Sequence, residues 1–210
     1  MSQYFEVHPE NPQQRLLKQA VQILHGGGIA AIPTDSSYAL VCHLDDKTAA
    51  QNLRRIRGVD DKHHLTLLCR DLRELASYAR VDNKQYRLLK LGTPGPFTFI
   101  LEATKEVPRR VSHPSRRTIG LRVPEHAVTQ ALLELLGQPL LATTLIAPGE
   151  SEPMNDPHQI SFWKWSRIWC GSFIGSRSPG AISVVASSGW PSSSSSACVT
   201  ACAGDRKSVV

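Results

Sequence analysis

The stretch that decides the fold is Ile29-Ala-Ala-Ile-Pro-Thr-Asp-Ser-Ser-Tyr-Ala-Leu40. Its branched, apolar start is typical of a buried strand, and the proline at position 33 ends that run. Hydroxyl, carboxylate and phenol groups follow immediately, so the pattern predicts a core strand that presents polar side chains at its end. Such side chains either hold a small polar ligand or satisfy the backbone of a capped turn, and both interpretations stay open.

Helical and strand patterns interleave on both sides of this stretch, across residues 1–160. Helices are predicted from Asn11-Pro12 to His25, from Asp45 or Asp46 to Arg57, from Asp71, from Asn83 or a neighbour to Gly92, and over residues 125–136. Strands are predicted over residues 29–32, 65–69, 97–101, 118–123 and 140–144. This alternation predicts an α/β fold in which helices flank a twisted mixed sheet.

The composition changes near residue 161. Residues 1–160 carry 19 basic and 17 acidic side chains, whereas residues 161–210 carry 5 basic and 1 acidic, so the net charge of +6 is a weak indication of nucleic-acid binding. All four tryptophans and 14 of the 21 serines also lie after residue 160. A flexible Ser-rich extension and a reading-frame shift both explain this change, and we favour the shift. We therefore predict a domain over residues 1–160, truncated at its C-terminal end, and an atypical tail over residues 161–210.

The five cysteines do not indicate a metal site. Cys42 and Cys69 lie in apolar runs, where free cysteine behaves as a small buried hydrophobe. The other three have no C-x-x-C spacing, so we predict no bound metal. No apolar run approaches the roughly 20 residues that a spanning helix needs, and we expect a cytoplasmic protein without a membrane partner.

Two groups of residues could bind an anion. The first consists of Arg54, Arg55, Arg57, Lys62, His63 and His64, which either form a solvated basic helix end or hold a phosphate or carboxylate. The second lies in Thr118-Ile-Gly-Leu-Arg-Val-Pro124, where Thr118, Gly120 and Arg122 share one face of a strand. We expect Gly120 to let a ligand approach the backbone, and Arg122 to need an anionic partner if it is buried.

Three motifs together carry a resemblance to a known family. They are Pro33-Thr-Asp-Ser-Ser-Tyr38, Pro94-Gly-Pro-Phe-Thr98 and the Thr118 to Pro124 segment. With Arg55-Ile-Arg57, they resemble the YrdC-like family of threonylcarbamoyl-adenylate synthases, most closely its YciO branch. The similarity runs from about residue 8 to residue 160. It implies a twisted α/β sheet around a positively charged, concave cavity.

The resemblance also implies a reaction and a set of site residues. Its enzymes join threonine, bicarbonate and ATP into threonylcarbamoyl-AMP, release pyrophosphate, and supply a tRNA modification; Mg²⁺ would accompany the triphosphate. By resemblance, Thr34, Ser36 and Arg122 would hold threonine, and Arg57, Thr118 and Thr144 would contact ATP. Arg55 and Arg57 would be the catalytic cations, with Arg55 at the position of a lysine in the synthases.

The chain departs from the synthase pattern at two positions. Arg55 replaces the lysine of a K-x-R motif, and Ile146 replaces the asparagine of an S-x-N motif that here begins at Thr144. A planar guanidinium is not equivalent to a compact ammonium, and isoleucine has no polar atom to offer. A slow nucleotidyltransferase is one expectation. The alternative is a non-catalytic protein that binds double-stranded RNA or tRNA in the same basic cavity. The family's late strand is not recognisable in residues 161–210.

Overall fold

The computed structural model describes residues 3–146, 150–155 and 182–186. Its helices are α1 (Gln14–His25), α2 (Lys47–Arg57), α3 (Leu72–Tyr78), α4 (Asn83–Gly92) and α5 (Ala127–Leu136). Its strands are β1 (Gln3–Val7), β2 (Ile29–Pro33), β3 (Tyr38–His43), β4 (Thr66–Leu68), β5 (Phe99–Glu102), β6 (Thr118–Arg122), β7 (Leu140–Thr144) and β8 (Ile182–Ala186). The eight strands form one sheet in the order β1-β8-β2-β3-β7-β4-β6-β5.

The sheet is mixed, as the sequence predicts. β3 runs antiparallel to both β2 and β7, whereas β4 runs parallel to β6. β8 is parallel to both of its neighbours, β1 and β2. The prediction of a mixed α/β sheet with flanking helices is confirmed.

Each face of the sheet packs against its own helices. On one face, Leu40 and Leu141 contact a core that includes Leu53 of α2, together with residues of α3 and α4. On the other face, Val41 and Leu140 pack against α1 and α5. Successive strand residues point to opposite faces, so this alternation assigns every strand position to one core or the other. The second face is called the α1/α5 face below.

Side-chain caps mark the starts of α2, α3, α4 and α5, close to where the sequence places them. Asp46 and Asp71 accept hydrogen bonds from the backbone N–H groups three residues ahead, at 2.8 and 2.7 Å. Gly137 ends α5 with a φ of 70°, a conformation that glycine adopts without steric cost. The start of α4, predicted at Asn83 or a neighbour, has Asp82 as its cap in a full capping box.

The predicted start of α1 at Asn11-Pro12 is wrong. The helix begins at Gln14, and the Gln13 side chain makes no capping hydrogen bond. The preceding residues form a turn in which His8 Nδ1 accepts from the N–H groups of Glu10 and Asn11, at 3.2 and 3.1 Å. Asn11 is thus part of this turn rather than the helix cap.

Three strands have no counterpart among the sequence predictions. β1 and β3 flank polar segments, and β8 falls within the stretch interpreted as a tail without pattern. β8 inserts between β1 and β2, with Ser183 in register with Tyr4 and Ala31. A late strand is therefore present at residues 182–186. The remainder of residues 161–210 lies outside the described residues, and the division at residue 160 stays a prediction.

Candidate functional site

The turn after β2 is locked from within by one hydroxyl. Thr34 is 1% exposed, and its Oγ1 donates to the carbonyl of Ser37 at 2.6 Å. The same oxygen accepts from the N–H groups of Ser36 and Ser37, at 3.3 and 3.4 Å. Thr34 therefore satisfies the turn's backbone, which is the structural role that the sequence left open. Tyr38 is not part of the polar loop, because it is buried as the first residue of β3.

Arg122 joins this turn to β6. Its Nη1 donates to Ser36 Oγ at 2.9 Å, its Nη2 donates to Asp35 Oδ1, and its Nε donates to the Gly95 carbonyl at 3.3 Å. The side chains of Arg122 and Asp35 are only 11% and 14% exposed. The anionic partner that a buried arginine requires is thus supplied by the chain itself.

The contact between Ser36 and Arg122 crosses the sheet. β7 and β4 lie between β3 and β6, so the turn must extend over the α1/α5 face of those two strands. Ala142, Thr66 and Gly120 are in register on β7, β4 and β6, and their side chains are small. The turn and Arg122 therefore border this strip of small residues, and this part of the sheet face is called the recess below.

Gly120 has a different role from the one expected. A Cβ atom at this position would lie 2.9 Å from Thr66 Oγ1 and 3.1 Å from Thr98 Cγ2. These are closer than normal van der Waals contacts, so the glycine makes room for two threonine side chains. The expected approach of a ligand to the backbone is replaced by intramolecular packing.

Thr118 and Thr144 lie on the same face as Arg122. Thr118 lies four residues before Arg122 on β6, and Thr144 is in register with Ala39 on β3. Extending the β4 register by two residues places His64 level with both threonines. His64 Nε2 lies 3.0 Å from Thr118 Oγ1, and its ring stacks on His113 with centroids 4.8 Å apart. Thr143, by contrast, is buried on the opposite face.

The arginines at the end of α2 have three different environments. Arg54 is buried, and its Nη1 donates to the carbonyls of Asp60 and His63 at 2.8 and 3.1 Å, which fixes the loop to β4. Arg55 is exposed and donates to Asn52 Oδ1 at 2.9 Å. Arg57 Nε is buried and has no hydrogen-bond partner among the described residues. Arg57 is therefore the arginine of this helix end that is best prepared to bind an added anion.

Three histidines near the recess have pKa values below the ordinary 6.5, which favours their neutral form. Burial lowers the pKa of His64, and the nearby His113 and Arg116 lower it further. Burial also lowers the pKa of His63, with Arg57 as the next cause. Burial lowers the pKa of His126 at the start of α5, although the Asp35 carboxylate opposes this shift. The positive charge of the site thus comes from arginine.

The structure brings the candidate residues together in two groups. Thr34, Ser36 and Arg122 are linked by hydrogen bonds, with Ser36 Oγ 3.3 Å from Thr34 Oγ1. Thr118 and Thr144 occupy the same sheet face near His64. Asp35 and His64 occurred in the sequence clusters but were not assigned as site residues. Their partners lie 87 and 54 positions away, and no local pattern carries that information.

Two further expectations concern cysteine and the membrane. Cys42 and Cys69 are free and buried, as predicted, and burial raises the pKa of Cys42 to about 12. Such thiols are inert at neutral pH. Within the described part of the chain, no helix is both long and apolar enough to span a bilayer.

Comparison with known proteins gives a consistent family. Residues 22–163 match the family model Sua5_yciO_yrdC, described as telomere recombination. An uncharacterized protein YciO of Escherichia coli K12 is 54% identical over 160 residues, which cover 76% of this chain and 78% of that protein. A threonylcarbamoyl-AMP synthase of Halorhodospira halophila is 31% identical over 153 residues, covering 72% of this chain and 79% of that protein.

Solved structures agree with the sequence comparisons. The crystal structure of E. coli YciO has a TM-score of 0.77 at 48% identity, covering 87% of this chain and 84% of that one. The structure of P. abyssi Sua5 complexed with L-threonine has a TM-score of 0.71 at 20% identity, covering 91% of this chain and 55% of that one, and it supports the fold alone. Because the family model spans most of the chain and a YciO protein shares half of the aligned residues, the protein belongs to the Sua5/YciO/YrdC family.

Proposed function

We propose that the chain is a YciO-type nucleotide-binding protein with L-threonylcarbamoyladenylate synthase-like activity. It would join threonine, bicarbonate and ATP into threonylcarbamoyl-AMP and pyrophosphate, and feed the threonylcarbamoyl modification of tRNA in the cytoplasm. The observation that carries the proposal is the hydrogen-bonded group of Thr34, Ser36 and Arg122 above the recess. Family membership supports it, because relatives include threonylcarbamoyl-AMP synthases and a Sua5 structure with L-threonine bound.

Arg122 is suited to hold the threonine carboxylate. Its hydrogen bonds to Gly95, Asp35 and Ser36 use three of the five N–H donors of a guanidinium. Within the described part of the chain, the other two stay available for a ligand. The ion pair with Asp35 fixes the plane of the group, so little side-chain entropy is lost when a carboxylate binds. Ser36 Oγ would face the same ligand, and Thr34 Oγ1 would hold the turn that positions Ser36.

The nucleotide would lie toward Arg57, Thr118 and Thr144. Arg57 Nε is a buried donor without a partner among the described residues, which is costly unless a ligand satisfies it. The hydroxyls of Thr118 and Thr144 lie on the face that borders the recess and would donate to phosphate or ribose oxygens. Arg55, exposed on α2, would add positive charge at the rim.

The proposed chemistry needs charge stabilisation more than acid–base groups. The threonine amine first combines with bicarbonate to give a carbamate and water. A carbamate oxygen then attacks the α-phosphorus, and the bond to pyrophosphate breaks. Arg57 and Arg55 would stabilise the negative charge that develops on the phosphate oxygens. We propose that Mg²⁺ would accompany the triphosphate as its counter-ion, since Mg²⁺ is commonly held through substrate phosphates.

The departures from the synthase pattern predict a slow enzyme. Ile146 is half-buried and pairs through its backbone with Pro153. Its side chain has no polar atom, so it offers the nucleotide no hydrogen bond. Arg55 already donates to Asn52 Oδ1. The absence of the synthase lysine at position 55 and of the synthase asparagine at position 146 would each remove one interaction with the transition state.

The test is mass spectrometry for threonylcarbamoyl-AMP after incubation with ATP, threonine, bicarbonate and magnesium. We expect product from the wild-type chain, and a loss of roughly 10²-fold in the initial rate for Arg57→Ala or Arg122→Ala. Arg87→Ala, at an exposed position on α4, is the matched control and keeps full activity. A cooperatively melting protein that makes no product contradicts the proposal, and binding of an RNA duplex would then be measured instead.

A further inference from the structure

A second cavity lies outside the recess, between α2 and the segment of residues 109–114. It has a volume of about 240 Å³, and its charged lining residues are Lys47, Arg54, Arg109, Arg110 and Asp61. None of the residues proposed for threonine or nucleotide binding lines it. The cavity is therefore separate from the proposed threonine and nucleotide sites.

The lining of this cavity is strongly cationic. Four basic side chains face one carboxylate, Asp61, whose side chain is 90% exposed and lies 3.7 Å from Arg54 Nε. An exposed carboxylate at that distance neutralises a buried guanidinium only weakly. Asp46 stands beside the cavity at the start of α2, but it accepts from the Ala49 N–H as the helix cap. The Asp60 carboxylate also acts on Arg54, so the excess of positive charge comes from Lys47, Arg109 and Arg110.

Two of the four cations are fixed in position by the backbone. Arg110 Nη2 donates to the carbonyls of Leu44 and Asp45, at 3.1 and 2.7 Å. Arg54 Nη1 donates to the carbonyls of Asp60 and His63, at 2.8 and 3.1 Å. These bonds neutralise neither guanidinium, because a carbonyl oxygen carries no net charge. They hold the donors in place before any ligand arrives, which lowers the entropy cost of binding.

The other two cations, Lys47 and Arg109, are exposed and make no hydrogen bond or ion pair with the described residues. Two fixed guanidinium groups and two available cations around a small cavity match a compact group with more than one negative charge. Guanidinium forks suit tetrahedral oxyanions, and ammonium groups add charge without a fixed geometry. We propose that this cavity is a second anion site that binds a phosphate group, separate from the recess and independent of the proposed synthase activity.

The test compares two double variants of the full chain with equal loss of charge. Lys47→Gln with Arg109→Gln removes the two available cations, whereas Lys84→Gln with Arg87→Gln removes two exposed cations of α4. Titration calorimetry with inorganic phosphate and, separately, with a short RNA duplex gives the affinities. Both pairs are also placed in an Arg57→Ala chain, so that phosphate bound in the recess does not obscure the result. All four positions are exposed, and a melting curve checks that each variant is folded.

Removal of Lys47 and Arg109 should weaken phosphate binding about tenfold relative to the control pair, the effect of one charge-assisted hydrogen bond. That result identifies a free phosphate compound as the ligand. An equal loss seen only with the RNA duplex also supports the site, and identifies a nucleic-acid backbone as the source of the phosphate. If neither affinity differs from that of the control pair, the proposal is overturned. The synthase assay does not enter this comparison, so the two proposals fail separately.

Discussion

Asp35 and Arg122 connect two parts of the chain that lie 87 positions apart. Both side chains are largely buried, and Asp35 Oδ2 has no hydrogen-bond partner among the described residues. A buried ion pair of this kind is weak evidence for net stability, because desolvation offsets much of the attraction. Replacing only one of the two partners is nevertheless costly, because the charge of the other partner is then buried alone. The pair also holds the turn over the recess, which links stability to ligand binding.

A double-mutant cycle measures this pair. Asp35→Asn and Arg122→Met should each lower the free energy of unfolding by about 3 kcal/mol, since each leaves one uncompensated buried charge. The double variant should lose less than the sum, with a coupling energy of about 1–3 kcal/mol from urea denaturation. Arg80→Met with Glu102→Gln, an ion pair exposed on both sides, is the control and should show a coupling below about 1 kcal/mol. Additive effects at Asp35 and Arg122 would contradict the assigned role.

Helix α5 begins at His126, whose side chain acts as the helix cap. Its Nδ1 accepts from the Val128 N–H at 3.3 Å, which requires that this nitrogen carries no proton. Thr129 Oγ1 in the same first turn donates to the Pro33 carbonyl, so the start of α5 supports the end of β2. The cap therefore stabilises the helix that lies beside the turn containing Asp35.

Protonation of His126 should weaken this end of the molecule. Burial lowers its folded pKa below the ordinary value of 6.5, although Asp35 opposes the shift. Between the two pKa values the unfolded chain binds more protons, so the free energy of unfolding rises with pH and falls on acidification below 6.5. His126→Asn keeps an acceptor at the cap and does not titrate, so its stability should fall less between about pH 7.5 and about pH 5.5. His8→Asn is the control, and an identical pH profile for both variants would refute the assignment.

Elements were predictable wherever a local cap or a periodic pattern marks them. Asp46, Asp71 and Gly137 define helix ends through contacts within a few residues, and the apolar run at 29–32 is a strand. β3 was missed because Tyr38–His43 follows the polar turn directly and is almost entirely buried, so it shows no alternation. The site residues were found as polar types at strand ends, but their pairing depends on the sheet order. That order is set by long-range packing and has no local signal.

The position of β8 determines how the whole sheet is connected. β1 pairs with β8 and with no other described strand, and β2 pairs with β8 on one side and β3 on the other. Residues 182–186 therefore join the N-terminal strand to the strand that leads into the recess. The sequence interpretation of residues 161–210 as a tail outside the domain predicts that this segment contributes nothing to the core. The sheet order predicts instead that β8 stabilises the core, so the two interpretations predict different free energies of unfolding when β8 is disrupted.

A proline at Ser183 tests whether β8 is part of the folded sheet or belongs to a tail outside the domain. Ser183 is in register with Tyr4 and Ala31, and proline has no N–H to donate in a strand with neighbours on both sides. Ser183→Pro should lower the free energy of unfolding by about 1–3 kcal/mol, the cost of leaving a buried backbone partner unsatisfied. Removal of residues 161–210 should have a larger effect, because β1 then loses its pairing and β2 gains an open edge. Ser194→Pro is the control for the thermal and urea melts, because Ser194 also lies in the Ser-rich residues 161–210 but outside β8. If Ser183→Pro and the truncated chain both melt like the wild type, then β8 adds nothing to the fold and the domain ends near residue 160.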